Sequence, residues 1–317
     1  MRKTIIDIGT NTMLMLIADY SGNEIKTVLD VQRIPRLGKS VDEKRNILPS
    51  SFEKAIAILN EYKQIRDKYD SASITVTATS FIRDANNKSE FIAAVKEQTG
   101  LQIEILSGEE EAKWTFWGGA YDKIKITKDK LRITLIDIGG GSTEIITSEK
   151  IITESDINKL FTKNIIGKSL DIGAVRLKEK FINSIPPTKA EIESAKKYIG
   201  EKINQINFNI KDSNLIGVAG TVTTLGAIKL GLSKFDSNKV DGLILSIEDI
   251  NAILNKLIDN TLEQLESMGD YMKGRADILI PGILILKCFM EKSGFDKITV
   301  SAKGLRYGIF LREILKK

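Results

Sequence analysis

A strand of isoleucines that runs through Asp-Ile-Gly into small hydroxyl or amide residues occurs twice in this chain. The copies are Ile5-Ile6-Asp7-Ile8-Gly9-Thr10-Asn11-Thr12 and Leu135-Ile136-Asp137-Ile138-Gly139-Gly140-Gly141-Ser142-Thr143-Glu144. Each places a carboxylate in an apolar strand, where an unpaired charge is costly. Each then supplies a turn whose backbone N–H groups can point into open space, a nest suited to anions. The copies lie 130 residues apart, so the expectation is two similar lobes facing a shared cleft, with two anion-cradling turns and two acids available for a phosphate.

The 317 residues suffice for two domains of ordinary size. A hydrophobic share of 42% against 28% charged reads as a soluble globular protein. The net charge of +5, from 47 basic and 42 acidic residues, suits an anionic ligand but falls short of the dense basic face of a nucleic-acid binder. Histidine is absent, which excludes Ser-His-Asp triads, Cys-His dyads, phosphohistidine chemistry and His-ligated zinc. The lone Cys288 lies in an apolar run and reads as a small buried hydrophobe. No disulfide can form within the chain, which fits a reducing cytoplasm. The N-terminus starts directly with strand sequence rather than a signal peptide. The longest apolar stretch, 278–290, is too short for a bilayer, contains Pro281, Gly282 and Lys287, and reads as a core helix; no membrane partner is expected.

Residues 4–8 and 12–18 read as a hairpin around Gly9-Thr10-Asn11, followed by the Gly22-Asn23 turn and a strand over 25–31. Residues 52–69 have helical periodicity after Pro49-Ser50-Ser51, with Phe52, Ala55, Ile56, Leu59 and Tyr62 on one face. Residues 72–78 alternate as a strand, and 89–100 form a helix ending at Gly100. The second half repeats this order. It has a hairpin from 131–138 and 143–148, a helix over 188–208, a strand over 214–218 and a helix over 221–230. Helices over 247–257 and 278–292 follow, then a strand over 297–301 and a final helix over 305–315 suited to pack back on the first lobe. The expected domains are therefore 1–124, joined by 305–317, and 125–304.

The glycine-rich turn is of neither the dinucleotide nor the P-loop type, because both of those open a helix. Here Gly139-Gly140-Gly141-Ser142 runs into the β-branched, alternating Thr143-Glu144-Ile145-Ile146-Thr147, so the turn joins strand to strand. The plain alternative is an ordinary hairpin capped by Asp137, which the first copy makes less attractive. A third candidate, Gly217-Val218-Ala219-Gly220-Thr221-Val222-Thr223-Thr224, passes from strand to helix and would offer free N–H groups at a helix start. Alone it is a weak signal, since many strand-to-helix joints carry Gly and Thr.

Together these elements resemble the two phosphate motifs and the nucleotide motif of the actin, Hsp70 and sugar-kinase superfamily. Four further segments narrow the resemblance to the exopolyphosphatase/guanosine pentaphosphate phosphatase family. They are Thr77-Ala78-Thr79-Ser80-Phe81-Ile82-Arg83-Asp84-Ala85-Asn86, Ile105-Leu106-Ser107-Gly108-Glu109-Glu110-Glu111-Ala112, Ser169-Leu170-Asp171-Ile172-Gly173-Ala174-Val175-Arg176-Leu177 and Ser301-Ala302-Lys303-Gly304-Leu305-Arg306-Tyr307-Gly308. The likeness spans essentially the whole chain, in order. It implies an α/β fold of two ribonuclease H-like lobes, each a mixed five-stranded sheet flanked by helices, with an interlobe cleft. Longer relatives carry a further histidine-aspartate type domain, so this chain resembles the short, two-lobe form. It departs from the family at Asp241, where histidine is common, and at Ala302 and Tyr307, where acids are usual.

The residues and the resemblance divide the roles. Ser107 and Glu110 have the spacing of a capping box, which makes Glu110 structural. Glu111 alone reads as a solvated first-turn acid; the resemblance assigns it the orientation or deprotonation of the attacking water. Asp7 and Asp137 suit the hydration shell of Mg²⁺, which prefers carboxylates, water and phosphate oxygens. Glu144 matches another acid of the family's metal and water site, with a surface glutamate as the plain alternative. Arg83 resembles a phosphate-gripping arginine, or else pairs with Asp84 or Glu90 on its own helix. The expected phosphate contacts are Thr10, Asn11, Ser80, Arg83, Gly139, Gly140, Gly141, Ser142, Thr143, Gly220 and Thr221, with Mg²⁺ as cofactor. The implied substrate is inorganic polyphosphate or guanosine pentaphosphate, and a homodimer is compatible with this reading. A kinase of the same superfamily and a non-catalytic nucleotide-binding protein are the rival classes; Ser107-Gly108-Glu109-Glu110-Glu111-Ala112 favours the hydrolase branch.

Overall fold

The computed structural model describes residues 1–21, 24–37, 46–71, 73–126, 132–149 and 165–315. The turn expected at Gly22-Asn23, and the end residues Ala72 and Leu131 of two expected strands, lie outside them. The chain divides into two compact units, Met1–Gly118 with Leu305–Lys317, and Gly119–Gly304.

The first unit is built on a five-stranded sheet of order β3-β2-β1-β4-β5. Its strands are β1 (Arg2–Ile8), β2 (Met13–Ser21), β3 (Glu24–Arg33), β4 (Ile74–Ala78) and β5 (Ile103–Ile105). β1 pairs antiparallel with β2 and parallel with β4. Alternation along β1 and β2 splits the sheet into two faces. Ile6, Ile8, Met13, Met15 and Ile17 point into a core completed by Ala55, Leu59 and Tyr62 of α1 (Pro49–Lys68). Phe91 and Val95 of the helix Lys88–Thr99 join the same core. That helix is α3; the one-turn α2 (Ser80–Arg83) precedes it, and α4 (Gly108–Ile126) follows β5.

The second unit has a six-stranded sheet of order β10-β11-β9-β6-β7-β8. Here β6 is Ile133–Ile138, β7 Thr143–Ser148, β8 Ile165–Leu170, β9 Asn214–Val218, β10 Ile244–Ser246 and β11 Lys297–Val300. From β8 to β11 the order and directions repeat those of β3 to β5. The sheet adds one strand to the expected five: β10, three residues pairing antiparallel with β11 at the sheet edge. Around it lie α5 (Ala174–Phe181), α6 (Lys189–Ile203), α7 (Ala219–Lys229), α8 (Ser237–Val240), α9 (Ile247–Leu257), α10 (Leu262–Glu266) and α11 (Ala276–Ser293). α6 opens on a capping box formed by Thr188 and Glu191. It ends five residues before the expected 208, where the apolar period of Ile192, Ala195, Ile199 and Ile203 runs out. The apolar stretch around Pro281 is indeed a core helix, α11, lined by Leu279, Ile283, Leu286 and Phe289. No helix among the described residues is long and apolar enough to cross a membrane.

The last helix, α12 (Leu305–Leu315), packs against β1 and β2 of the first unit. Arginine–carboxylate forks tie it to both edges of that sheet. Arg306 donates from Nε and Nη2 to Asp30 on β3 at 3.1 and 2.7 Å. Arg312 donates from Nη1 and Nη2 to Glu104 on β5, both at 2.6 Å. Between them Gly308 meets α4: a Cβ there would stand 1.7 Å from the Trp114 carbonyl oxygen, so only glycine permits this approach.

Candidate active site

The two Asp-Ile-Gly copies fold into the same local structure. In each, the glycine N–H closes the turn onto a carbonyl three residues on, Gly9 to Thr12 at 2.9 Å and Gly139 to Ser142 at 3.0 Å. The turns differ in what supports them. Thr10 and Asn11 are buried, and Thr10 Oγ1 lies 3.4 Å from Ser80 Oγ at the start of α2. The second turn is held by α5, whose Ala174 N–H donates to the Gly139 carbonyl at 2.9 Å. Val175 and Arg176 donate to the Gly140 carbonyl at 2.9 and 3.1 Å. With those carbonyls turned onto α5, the peptide groups of Gly139–Ser142 are fixed in direction. Gly173 makes this docking possible, because a Cβ there would lie 2.3 Å from the Gly140 oxygen. Ser142 is buried, and Thr143 Oγ1 donates to the Ile172 carbonyl at 2.6 Å. That bond spends the Thr143 hydroxyl proton and leaves its lone pairs.

The acids sit at strand ends and at a helix start. Asp7 on β1 is 8% exposed, and its Oδ1 is buried without a hydrogen-bond partner among the described residues. Burial pushes its carboxyl up to about 7, against the opposing pull of the Arg306 guanidinium. Asp137 on β6 stands directly across the ladder from Glu144 on β7. Glu144 is 2% exposed and accepts the Ser169 hydroxyl of β8 at 2.6 Å. A buried acceptor with no donor, and two carboxylates on adjacent strands, are hard oxygen ligands of the kind that take a divalent cation together with water and phosphate. Among the described residues no three acids gather into a ready-made metal cluster.

Glu111 lies in the first turn of α4 with its side chain 9% exposed, its N–H donating to the Ser107 carbonyl. Ser107 and Glu110 form the expected reciprocal cap. Arg83 ends α2 and donates to Glu111 Oε2 at 3.0 Å and to the Leu106 carbonyl at 2.9 Å. It also approaches Asp84 at 4.0 Å. Its principal partner is thus the candidate base 28 residues on, rather than a neighbour on its own helix.

The Gly217–Thr224 segment passes from β9 into α7 through Ala219, whose φ is 66°. Gly220 and Thr221 open the helix beside Arg275, which donates weakly to the Gly220 carbonyl and to Thr224 Oγ1, both at 3.4 Å. Arg275 Nε is buried without a partner among the described residues, and burial pulls its guanidinium down to about 10. Sequence reasoning passed over Arg275, Ser169 and Gly173. The last two lie in a segment singled out for its resemblance, but their contacts are long-range.

Two departures from the family pattern touch each other. Asp241 accepts the Ala302 N–H at 3.0 Å and Lys123 Nζ at 2.9 Å. Tyr307 lies with its hydroxyl 2.9 Å from Thr27 Oγ1 and donates at 3.4 Å to Asp30.

The whole chain, apart from its site geometry, is similar to known proteins. Exopolyphosphatase 2 of Mycobacterium tuberculosis is 28% identical over 98% of both chains. The bifunctional 3-dehydroquinate synthase/phosphatase of Fusobacterium nucleatum is 33% identical, over 99% of this chain and 47% of its own. The crystal structure of the Aquifex aeolicus Ppx/GppA family member matches with a TM-score of 0.80 at 28% identity, covering 100% of this chain and 98% of that one. Its fold is that of the actin-like ATPase superfamily. The model of the Ppx/GppA phosphatase family matches residues 16–317. The chain therefore belongs to the Ppx/GppA phosphatase family and is a phosphoanhydride hydrolase.

Proposed function

We propose that the protein is an exopolyphosphatase, releasing the terminal phosphate of inorganic polyphosphate with Mg²⁺ as cofactor and working in the cytoplasm. The observation that carries this reading is the Arg83–Glu111 pair, a carboxylate almost closed to solvent and held by a guanidinium at the first turn of α4. A buried glutamate so oriented by a guanidinium is placed to accept a proton from water. Glu111 thus aligns the water and takes its proton as the new P–O bond forms. The bridging P–O bond breaks, and its electron pair leaves with the shortened polyphosphate. Arg83, already facing Glu111, turns donors toward the phosphoryl oxygens. The N–H groups of the turns at Thr10-Asn11 and Gly140–Thr143, beyond the Gly139 N–H that closes its turn, with Ser80 and the start of α7 at Gly220 and Thr221, receive the remaining oxygens. Asp7, Asp137 and Glu144 would hold Mg²⁺, which supplies charge neutralisation to the leaving phosphate. Positioning and charge carry most of such a reaction, with no covalent intermediate on the protein.

We read polyphosphate rather than guanosine pentaphosphate as the substrate because a relative matched over 98% of its own length is named an exopolyphosphatase. The net charge of +5 also favours a polyanion. The test is phosphate release with Mg²⁺, measured side by side on long polyphosphate, tripolyphosphate and guanosine pentaphosphate. Faster release from long polyphosphate is expected. Release from guanosine pentaphosphate alone would overturn the substrate assignment.

A further inference from the structure

The face of the first sheet opposite its α1–α3 core carries a row of polar groups. Asp7 pairs with Leu14 on one side and Thr77 on the other; Leu14 pairs with Gln32, and Thr77 with Glu104. One step along, Ile5 pairs with Leu16 and Leu16 with Asp30. Cross-strand partners share a face, and a two-residue step keeps it, so Asp7, Asp30 and Glu104 all point to the same side. Ile6, Ile8, Met13 and Met15 point to the other. The helix α12 covers the Asp7 side, clamped at Asp30 by Arg306 and at Glu104 by Arg312. The Arg306 side chain is 13% exposed. Among the described residues its charge pulls on the Asp7 carboxyl through space, from the helix that covers this face.

We propose that Arg306 is a positioning residue for Asp7, and that Asp30 is the residue that keeps it there. The fork fixes two edges of the guanidinium and with them the direction of its charge. A carboxylate whose Oδ1 has no donor among the described residues thereby feels a stationary cation on its own face instead of a mobile one. The second fork, Arg312–Glu104, uses the same chemistry to fasten the same helix and lies at the opposite sheet edge. It separates fastening from positioning. The inference rests on the hydrolase reading only for its kinetic arm.

The test compares Asp30→Asn, Asp30→Glu and Glu104→Gln with the wild type. Each neutral substitution loosens one end of α12, so both should lower Tm. Only Asp30→Asn should lower kcat for polyphosphate, by about 10–100-fold with KM nearly unchanged, and Asp30→Glu should recover most of it. Equal kcat in Asp30→Asn and Glu104→Gln would reduce the fork to a fastener and overturn the proposal. A spectroscopic arm needs no turnover: the Nε–Hε NMR signal of Arg306, identified by its loss in Arg306→Lys. It should shift in Asp7→Asn and collapse toward the solvent-exchanged position in Asp30→Asn. A signal indifferent to Asp7→Asn overturns the proposal even if the wild type releases no phosphate, an outcome that would instead remove the reading of function.

Discussion

Asp137 and Glu144 are direct partners in the β6–β7 ladder, which sets two carboxylates side by side on one face of the second sheet. In the first sheet the same register places Leu14 opposite Asp7. The repeat is therefore chemically lopsided: one hairpin carries a pair of acids and the other carries one. Like charges directly opposite destabilise a ladder by up to about 1 kcal/mol, a cost that a bound divalent cation would relieve. Glu144→Gln should accordingly raise Tm without metal and abolish the rise that Mg²⁺ produces in the wild type. Differential scanning calorimetry with and without Mg²⁺ checks both effects.

Asp7 should make the metal-free protein less stable toward alkaline pH. Its folded-state carboxyl titrates at about 7, above the ordinary aspartate value, because burial disfavours the charge. The favourable contribution is present while the group is protonated in both states. It is lost as pH rises from the ordinary carboxylate range through about 7. Asp7→Asn should remove this slope, raise Tm at pH 8 more than at pH 5, and destroy activity. Thermal melts across pH 4–9 measure the difference.

Gly173→Ala should damage the second turn without touching any acid. The added Cβ meets the Gly140 carbonyl at 2.3 Å, backbone that cannot swing aside. Overpacking of this kind costs about 1–3 kcal/mol, and here relief requires the Gly139–Ser142 peptides to rotate. The expected result is a lower Tm together with a raised KM for polyphosphate, read from melts and phosphate-release kinetics.

Much of this was written in local sequence. The two hairpins follow from isoleucine strands broken by glycine, and α9 and α12 form over the expected ranges 247–257 and 305–315. The Ser107–Glu110 cap needed only a three-residue spacing. Other features were not legible, because they depend on residues far apart in the chain. The clamp of Arg306 on Asp30 joins positions 276 residues apart, and no periodicity announces it. The short strands β5 and β10 have three residues each, too few for alternation to register, and β8 mixes glycine and lysine into its run. Arg83 had acids nearer in sequence, yet it turns to Glu111, because α2 and the start of α4 follow adjacent parallel strands of the same sheet.

The most direct measurement is Mg²⁺-dependent phosphate release from long-chain polyphosphate by the wild type and by Glu111→Gln, with polyphosphate affinity taken on the same preparations. Glu111 as proton acceptor predicts a loss in kcat of about 10²–10⁴-fold, with affinity held. Retained turnover in Glu111→Gln, or no phosphate release from the wild type, would contradict the account.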